Sequence, residues 1–219
     1  MILLVDIGNS TTKWAHAVNP RRVRLVATTA TTASPTRLRQ TLARVCSADA
    51  IRTVVISSVV PKATAALRRV VRTMHPHIMQ HVPRFREFTR VISCRVLPTL
   101  EPGTDRLAGA LALRELRPLP ACAVHVGTAV TLDVVAADGA FVGGAIFPGI
   151  DLQLQALQTG TARLGAIANL PATGHRIGRT TADAMAFGII RGVAWAVHGL
   201  LLDIARELTT PLGSIVISG

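Results

Sequence analysis

The chain has 219 residues, 49% of them hydrophobic, enough for one large or two small domains with a proper core, which excludes a disordered segment. The formal net charge is +12, and all but Lys13 and Lys62 of the 24 basic residues are arginine. The arginines are scattered over 21–24, 37–44, 68–72, 84–95 and 114–117, with 3% aromatic residues and no tyrosine, which describes solvated helix faces and loops rather than a nucleic-acid surface.

Met1 enters directly into a strand pattern, with no basic stretch ahead of an apolar run, so no secretory signal is read and the expected compartment is the cytoplasm. Strand-like runs cover 2–6, 11–18 and 23–30. Ser34-Pro35 then opens a helix to about Cys46, with proline at the first helical position. A strand at 52–60 precedes Pro61, which opens a helix to about Met74 whose apolar residues fall on helical spacing. A short strand near 78–82 and a stretch rich in proline and arginine to about 102 close the first half.

The order then restarts with a helix at 105–116 and strands at 121–126, 130–136 and 140–146, Asp138-Gly139 marking the hairpin between the last two. Pro148 is expected to open a helix to about Leu157. A loop rich in Gly, Thr and Pro spans 159–179, a long helix covers about 181–207, and 214–218 forms a final strand. The segment 184–202 is nearly all apolar and close to the length that crosses a bilayer, but Arg191 and His198 interrupt it. With Gly188, Gly192 and Gly199 along it, it reads as a core helix or a subunit-interface helix rather than a membrane span. Cys46, Cys94 and Cys122, widely spaced and without a Cys-x-x-Cys pair, read as buried free thiols, not as a disulfide framework or zinc site.

Two segments carry the chemistry. Residues 5–13, Val-Asp-Ile-Gly-Asn-Ser-Thr-Thr-Lys, and residues 124–131, Val-His-Val-Gly-Thr-Ala-Val-Thr, share one pattern: an apolar strand, a polar residue, a glycine and hydroxyls. Each reads as a phosphate loop, the glycine giving close backbone approach and the hydroxyls donating to phosphate oxygens; two such turns facing each other would clamp a nucleotide. The first is not a P-loop, because no glycine precedes Lys13 and Trp14 follows it, and no Gly-x-Gly-x-x-Gly follows the first strand. Strands, helices and strands repeated about a nucleotide cleft describe an α/β fold of duplicated ribonuclease-H-like domains, as in actin-like ATPases and sugar kinases, with halves at 1–100 and 101–219. Taken alone, Asp6 also fits a turn-capping carboxylate and Asp105 the N-cap of the helix that follows.

Four motifs in order, Asp6-Ile-Gly-Asn-Ser10 with Lys13, Gly103-Thr-Asp-Arg106, Gly127-Thr-Ala-x-Thr-x-Asp133 and Gly143-Gly-x-Ile-x-Pro-Gly149, resemble those of type III pantothenate kinases. The resemblance runs through essentially the whole chain. It implies phosphorylation of pantothenate's primary hydroxyl by ATP with Mg2+, the first step of coenzyme A synthesis, in a homodimer.

By that resemblance Asp6, Gly8, Asn9, Ser10, Thr11, Thr12 and Lys13 hold the ATP phosphates, Asp6 also holds magnesium, and Thr128 contacts ATP. Gly103, Thr104, Asp105, Arg106 and Thr181 hold pantothenate, with Asp105 as catalytic base. Three departures stand against the family pattern. His125 occupies the place of an aspartate that holds a monovalent cation (K+ or NH4+), the pantothenate-contacting tyrosine is absent, and the sequence stops at Gly219, where the family continues through a further helix and a closing segment. They set an alternative beside the active kinase: a non-catalytic relative that binds nucleotide or pantothenate as a regulatory protein.

Overall fold

In the computed structural model, which describes residues 1–19, 21–46, 51–96, 101–161, 164 and 177–219, the chain divides into two compact units: Met1–Val91 with Pro98–Ala108, and Ile92–Leu97 with Gly109–Gly219. The first unit begins with a three-stranded antiparallel meander, β1 (Ile2–Ile7), β2 (Thr11–Asn19) and β3 (Arg22–Ala30). Helix α1 (Pro35–Val45) crosses over to β4 (Thr53–Ser58), and α2 (Pro61–Met74) to β5 (Met79–His81), giving a five-stranded sheet in the order β3-β2-β1-β4-β5 with β4 and β5 parallel to β1.

Alternation along the strands sorts this sheet into two faces. Leu3, Val5 and Ile7 of β1, Trp14 of β2, and Val54 and Ile56 of β4 are buried against Leu38, Leu42 and Val45 of α1 and Leu67, Val70 and Val71 of α2. Leu4 and Asp6, with Val55 and Ser57 beside them in register, point to the other face. Ser34 caps α1, its Oγ accepting the Arg37 N–H at 3.3 Å, as the sequence signal anticipates. The exposed residues of α1 and α2 include Arg37, Arg39, Arg68, Arg69 and Arg72, the solvated helix faces expected of them.

The second unit repeats the plan. β6 (Ala121–Val126), β7 (Ala129–Val135) and β8 (Phe141–Pro148) form an antiparallel meander, and β9 (Ser214–Ser218) lies parallel to β6, in the order β8-β7-β6-β9. A meander whose first strand takes a parallel neighbour on its far side, built twice, is the duplicated ribonuclease-H-like fold that the element order predicts. The Asp138-Gly139 turn stands where expected, Gly139 at φ +82°.

Two differences from the sequence reading have physical causes. The proline- and arginine-rich stretch contains a short helix, α3 (Phe85–Phe88), closed by the Glu87 carboxylate accepting the Arg84 N–H at 3.1 Å. Pro148 ends β8, paired with Ala129, instead of opening a helix; Gly149 is the N-cap and α5 runs Ile150–Gly160. Proline is tolerated because β8 is an edge strand and needs no outward N–H.

The long helix expected at 181–207 is α6 (Thr181–Glu207), which is not buried all round. It buries the stripe Met185, Ala186, Ile189 and Val193, while Trp195 is 69% exposed and Leu202 47%. By length and composition it could cross a membrane, with a mean hydropathy of 1.6 over its most apolar 18 residues. The expected 159–179 loop lies mostly outside the described residues.

Cys122 is buried and Cys46 and Cys94 are half-buried, all three free. Burial pushes the Cys46 thiol up to about 11, and burial with the Asp133 charge pushes Cys122 up to about 11, so neither is a nucleophile at neutral pH.

Candidate functional site

The turn joining β1 to β2 carries the first motif. Gly8 N–H donates to Thr11 O at 3.0 Å and closes the turn. Thr31, at the end of β3, braces it from outside, its N–H donating to Ser10 O at 2.9 Å and its Oγ1 to Gly8 O at 2.7 Å. The Gly8 amide is therefore spent inside the turn, and what the tip presents is exposed Asn9, Ser10 and Thr11. Thr12 points the other way. It is 4% exposed, and its Oγ1 lies 3.3 Å from Thr31 Oγ1, so it supports the turn from the core side.

Asp6 pairs in register with Lys13 on β2 and with Ser57 on β4, so Lys13, Asp6 and Ser57 form one row across three strands on the face away from α1 and α2. On this face lies a cavity of about 450 Å³ within the first unit, lined by Leu4, Asp6, Val55, Ser57, Pro83, Phe88, Asp105 and Ala108. The second motif thus meets the first. Helix α4 (Thr104–Leu116) starts at Thr104, which places Asp105 inside the first turn, where a carboxylate suits the helix dipole, rather than at the N-cap.

The Asp105 Oδ1 atom accepts the Arg106 N–H at 2.9 Å and lies where a Cβ on residue 103 would stand. Glycine at 103 is what lets the carboxylate take this position. Arg106 is half-buried, and Leu107 N–H donates to Gly103 O at 3.2 Å to hold the entry to the helix.

In the second unit the β6–β7 turn carries the repeated motif. Gly127 N–H donates to Ala129 O at 3.1 Å, and Gly149 N–H donates to Thr128 O at 2.9 Å. A Cβ at Gly149 would collide with the carbonyls of Gly127 and Thr128, so the Pro148-Gly149 motif is a close approach of backbone onto the second turn. Thr128 is exposed at the tip.

His125 Nδ1 is 3.1 Å from Ser218 Oγ on β9, its register partner, and its Nε2 edge faces Gly127, 2.9 Å from where a Cβ there would stand. Thr181 opens α6 just after the N-cap Thr180, whose Oγ1 accepts the Asp183 N–H at 3.1 Å. With Gln153, Leu157, Leu164, Met185 and Gly188 it lines a mainly apolar cavity of about 610 Å³ in this unit.

Sequence reasoning missed two residues here. Thr31, just past the end of β3, closes the first turn from more than twenty residues away in sequence, and Ser57 lines the carboxylate cavity; both depend on strand pairing that no local pattern reveals. Among the described residues no cluster of three or more His, Cys, Asp or Glu stands close enough for an all-protein metal site. The oxygen donors of Asp6 and Asp105 in one cavity suit a hard cation that keeps water and takes its other ligands from a substrate. His125 offers an imidazole nitrogen, a donor that suits softer metals better than a monovalent cation.

Comparison with known proteins adds a consistent result. Residues 2–203 match the family model of type III pantothenate kinases. A type III pantothenate kinase of Caulobacter vibrioides is 37% identical over 174 residues, 78% of this chain and 65% of the relative, so that match spans just under two thirds of the relative's length. One of Frankia casuarinae is 34% identical over 227 aligned positions, covering 100% of this chain and 87% of the relative. Among solved structures, a protein of Campylobacter jejuni described as a conserved Baf family transcriptional activator superposes with a TM-score of 0.53 at 16% identity, over 90% of this chain and 78% of that one, a likeness of fold.

Proposed function

The chain belongs to the type III pantothenate kinase family, and from that premise we propose that it transfers the γ-phosphoryl group of ATP to the primary hydroxyl of pantothenate in the cytoplasm, giving 4'-phosphopantothenate for coenzyme A synthesis. The observation that supports this reading most is the meeting of Asp6 and Asp105, from motifs far apart in sequence, in one partly apolar cavity.

Phosphoryl transfer passes through a loose transition state, so the side chains mainly position groups and neutralise charge. Asp105 orients the attacking hydroxyl and finally takes its proton. Lys13, in the row beside Asp6, is a compact point charge for phosphate oxygens, and Arg106 can fork around pantothenate's carboxylate. Exposed Asn9, Ser10 and Thr11 donate to phosphate oxygens, while Thr12 keeps the turn in shape. Magnesium, when bound, neutralises charge on the phosphates, and Asp6 is the residue that would hold it. The roles of Thr128 toward ATP and Thr181 toward pantothenate follow from the family motifs alone.

A coupled ADP-release assay tests the proposal: release should depend on pantothenate. No ADP release above background, with or without pantothenate, would leave the non-catalytic alternative.

We also propose a homodimer built on α6. Ile190, Trp195 and Leu202 leave apolar surface on that helix, and a Cβ at Gly188, Gly192 or Gly199 would meet nothing within 4 Å, so the glycines leave its surface open to close approach. Sedimentation at micromolar concentration should give twice the chain mass, and Trp195→Glu should shift it toward one chain; a monomeric unmodified protein removes the dimer.

His125 points to a kinase that runs without a monovalent cation. Rates in potassium and in a bulky organic cation should agree within about twofold, because an imidazole replaces the oxygen ligand such an ion prefers. Several-fold stimulation by potassium would overturn this.

A further inference from the structure

We propose that Ser57 is a substrate-binding residue of the Asp6–Asp105 cavity, its hydroxyl pairing with a hydroxyl of pantothenate; the proposal rests on the pantothenate kinase reading. Ser57 Oγ is enclosed and has no hydrogen-bond partner in the structure, a condition native proteins seldom leave unexplained. Among the described residues two other enclosed side-chain atoms share it, His75 Nε2 and Gln80 Oε1, but neither residue lines this cavity.

The neighbouring serine shows the contrast. Ser58 Oγ accepts the Val60 N–H at 3.0 Å and the Thr64 hydroxyl at 2.6 Å, and so is fully employed at the start of α2. Ser57, one residue earlier on the alternating strand, faces the opposite way, into the row with Asp6.

The cavity's chemistry identifies what the hydroxyl awaits. Leu4, Val55 and Phe88 give it an apolar wall that suits a compact branched alkyl group, and Asp6 and Asp105 give it two carboxylates. Ionised carboxylates only accept hydrogen bonds, so they can take the protons of an incoming alcohol but offer its oxygen nothing. A serine hydroxyl both donates and accepts, which makes Ser57 the neutral donor on this wall for an alcohol oxygen. A site that hydrogen-bonds a substrate hydroxyl also rejects analogues lacking it, so Ser57 contributes to selection as well as to affinity.

The test compares the full chain with Ser57→Ala and Ser57→Thr, reading the equilibrium Kd of pantothenate by calorimetry, the KM of each substrate, and the melting temperature. Ser57→Ala should weaken pantothenate binding about tenfold and leave the KM of ATP unchanged. Its melting temperature should stay level or rise, because an enclosed hydroxyl without a partner is removed, and Ser57→Thr should recover most of the affinity. A Ser57→Ala protein that binds pantothenate like the unmodified chain overturns the proposal; if it also melts earlier, the hydroxyl serves an internal water instead. Unmodified protein that neither binds nor phosphorylates pantothenate removes the kinase reading and this proposal together, whereas normal binding by both proteins removes this proposal alone.

Discussion

Asp105→Asn should lower turnover by at least a hundredfold while leaving the fold intact. The substitution keeps shape and an acceptor: the asparagine side-chain oxygen can still take the Arg106 N–H that Asp105 Oδ1 takes at 2.9 Å, and the room that Gly103 leaves is unchanged. What is lost is the capacity to accept a proton and the negative charge that orients the attacking hydroxyl. General-base catalysis is typically worth about a hundred- to ten-thousand-fold, and a hundredfold loss corresponds to about 2.7 kcal/mol in the barrier. Single-turnover rates at saturating substrates, with the melting temperature as control for folding, make the measurement. Turnover near that of the unmodified protein would remove Asp105 from the role of base.

Trp14→Ala should destabilise the first unit by about 3–5 kcal/mol, the usual cost of truncating a large buried aromatic residue. Trp14 is wholly buried, in register with Val5 on β1, and its indole N–H donates to Thr29 Oγ1 at 3.2 Å. Truncation leaves a void between the sheet and its helices and strips a buried hydroxyl of its partner. Against a typical total of about 5–15 kcal/mol, that is enough to unfold a large fraction of the molecules on mild warming. Because Lys13 and Asp6 are held by the same strands on the opposite face, activity should disappear over the same range of urea that unfolds the protein. A urea midpoint equal to that of the unmodified chain would show that Trp14 is not central to this core.

The repeated strand–turn–strand pattern was legible because each copy is local: hydrophobic alternation, a glycine and a return strand lie within some twenty residues, and both β1–β2 and β6–β7 form as read. The meeting of Asp6 with Asp105 was legible only through family resemblance, since nothing in local spacing says that α4 begins beside β1. Pro148 was misread because proline at a helix start and proline ending an edge strand share one local signal; pairing with Ala129 decides between them. Thr12 shows motif and periodicity in conflict. The motif reads it as a phosphate donor, while alternation with Lys13 places it on the core side, where the structure has it. Ser57 carried no signal at all, because its significance lies in a parallel pairing between strands separated by two others and a helix.

The row of Lys13, Asp6 and Ser57 restricts how this part of the chain can change over generations. Side chains alternate between faces with a period of two, so gaining or losing a single residue within β1 would invert every position beyond it. Asp6 would turn toward Trp14 and Ile56, and an aliphatic residue would take its place in the cavity. One such event would strand a carboxylate in an oily interior and strip the site of its charge together. Descendants of this sequence can therefore explore new chemistry here by exchanging one side chain for another, while gains and losses of length are confined to the loops.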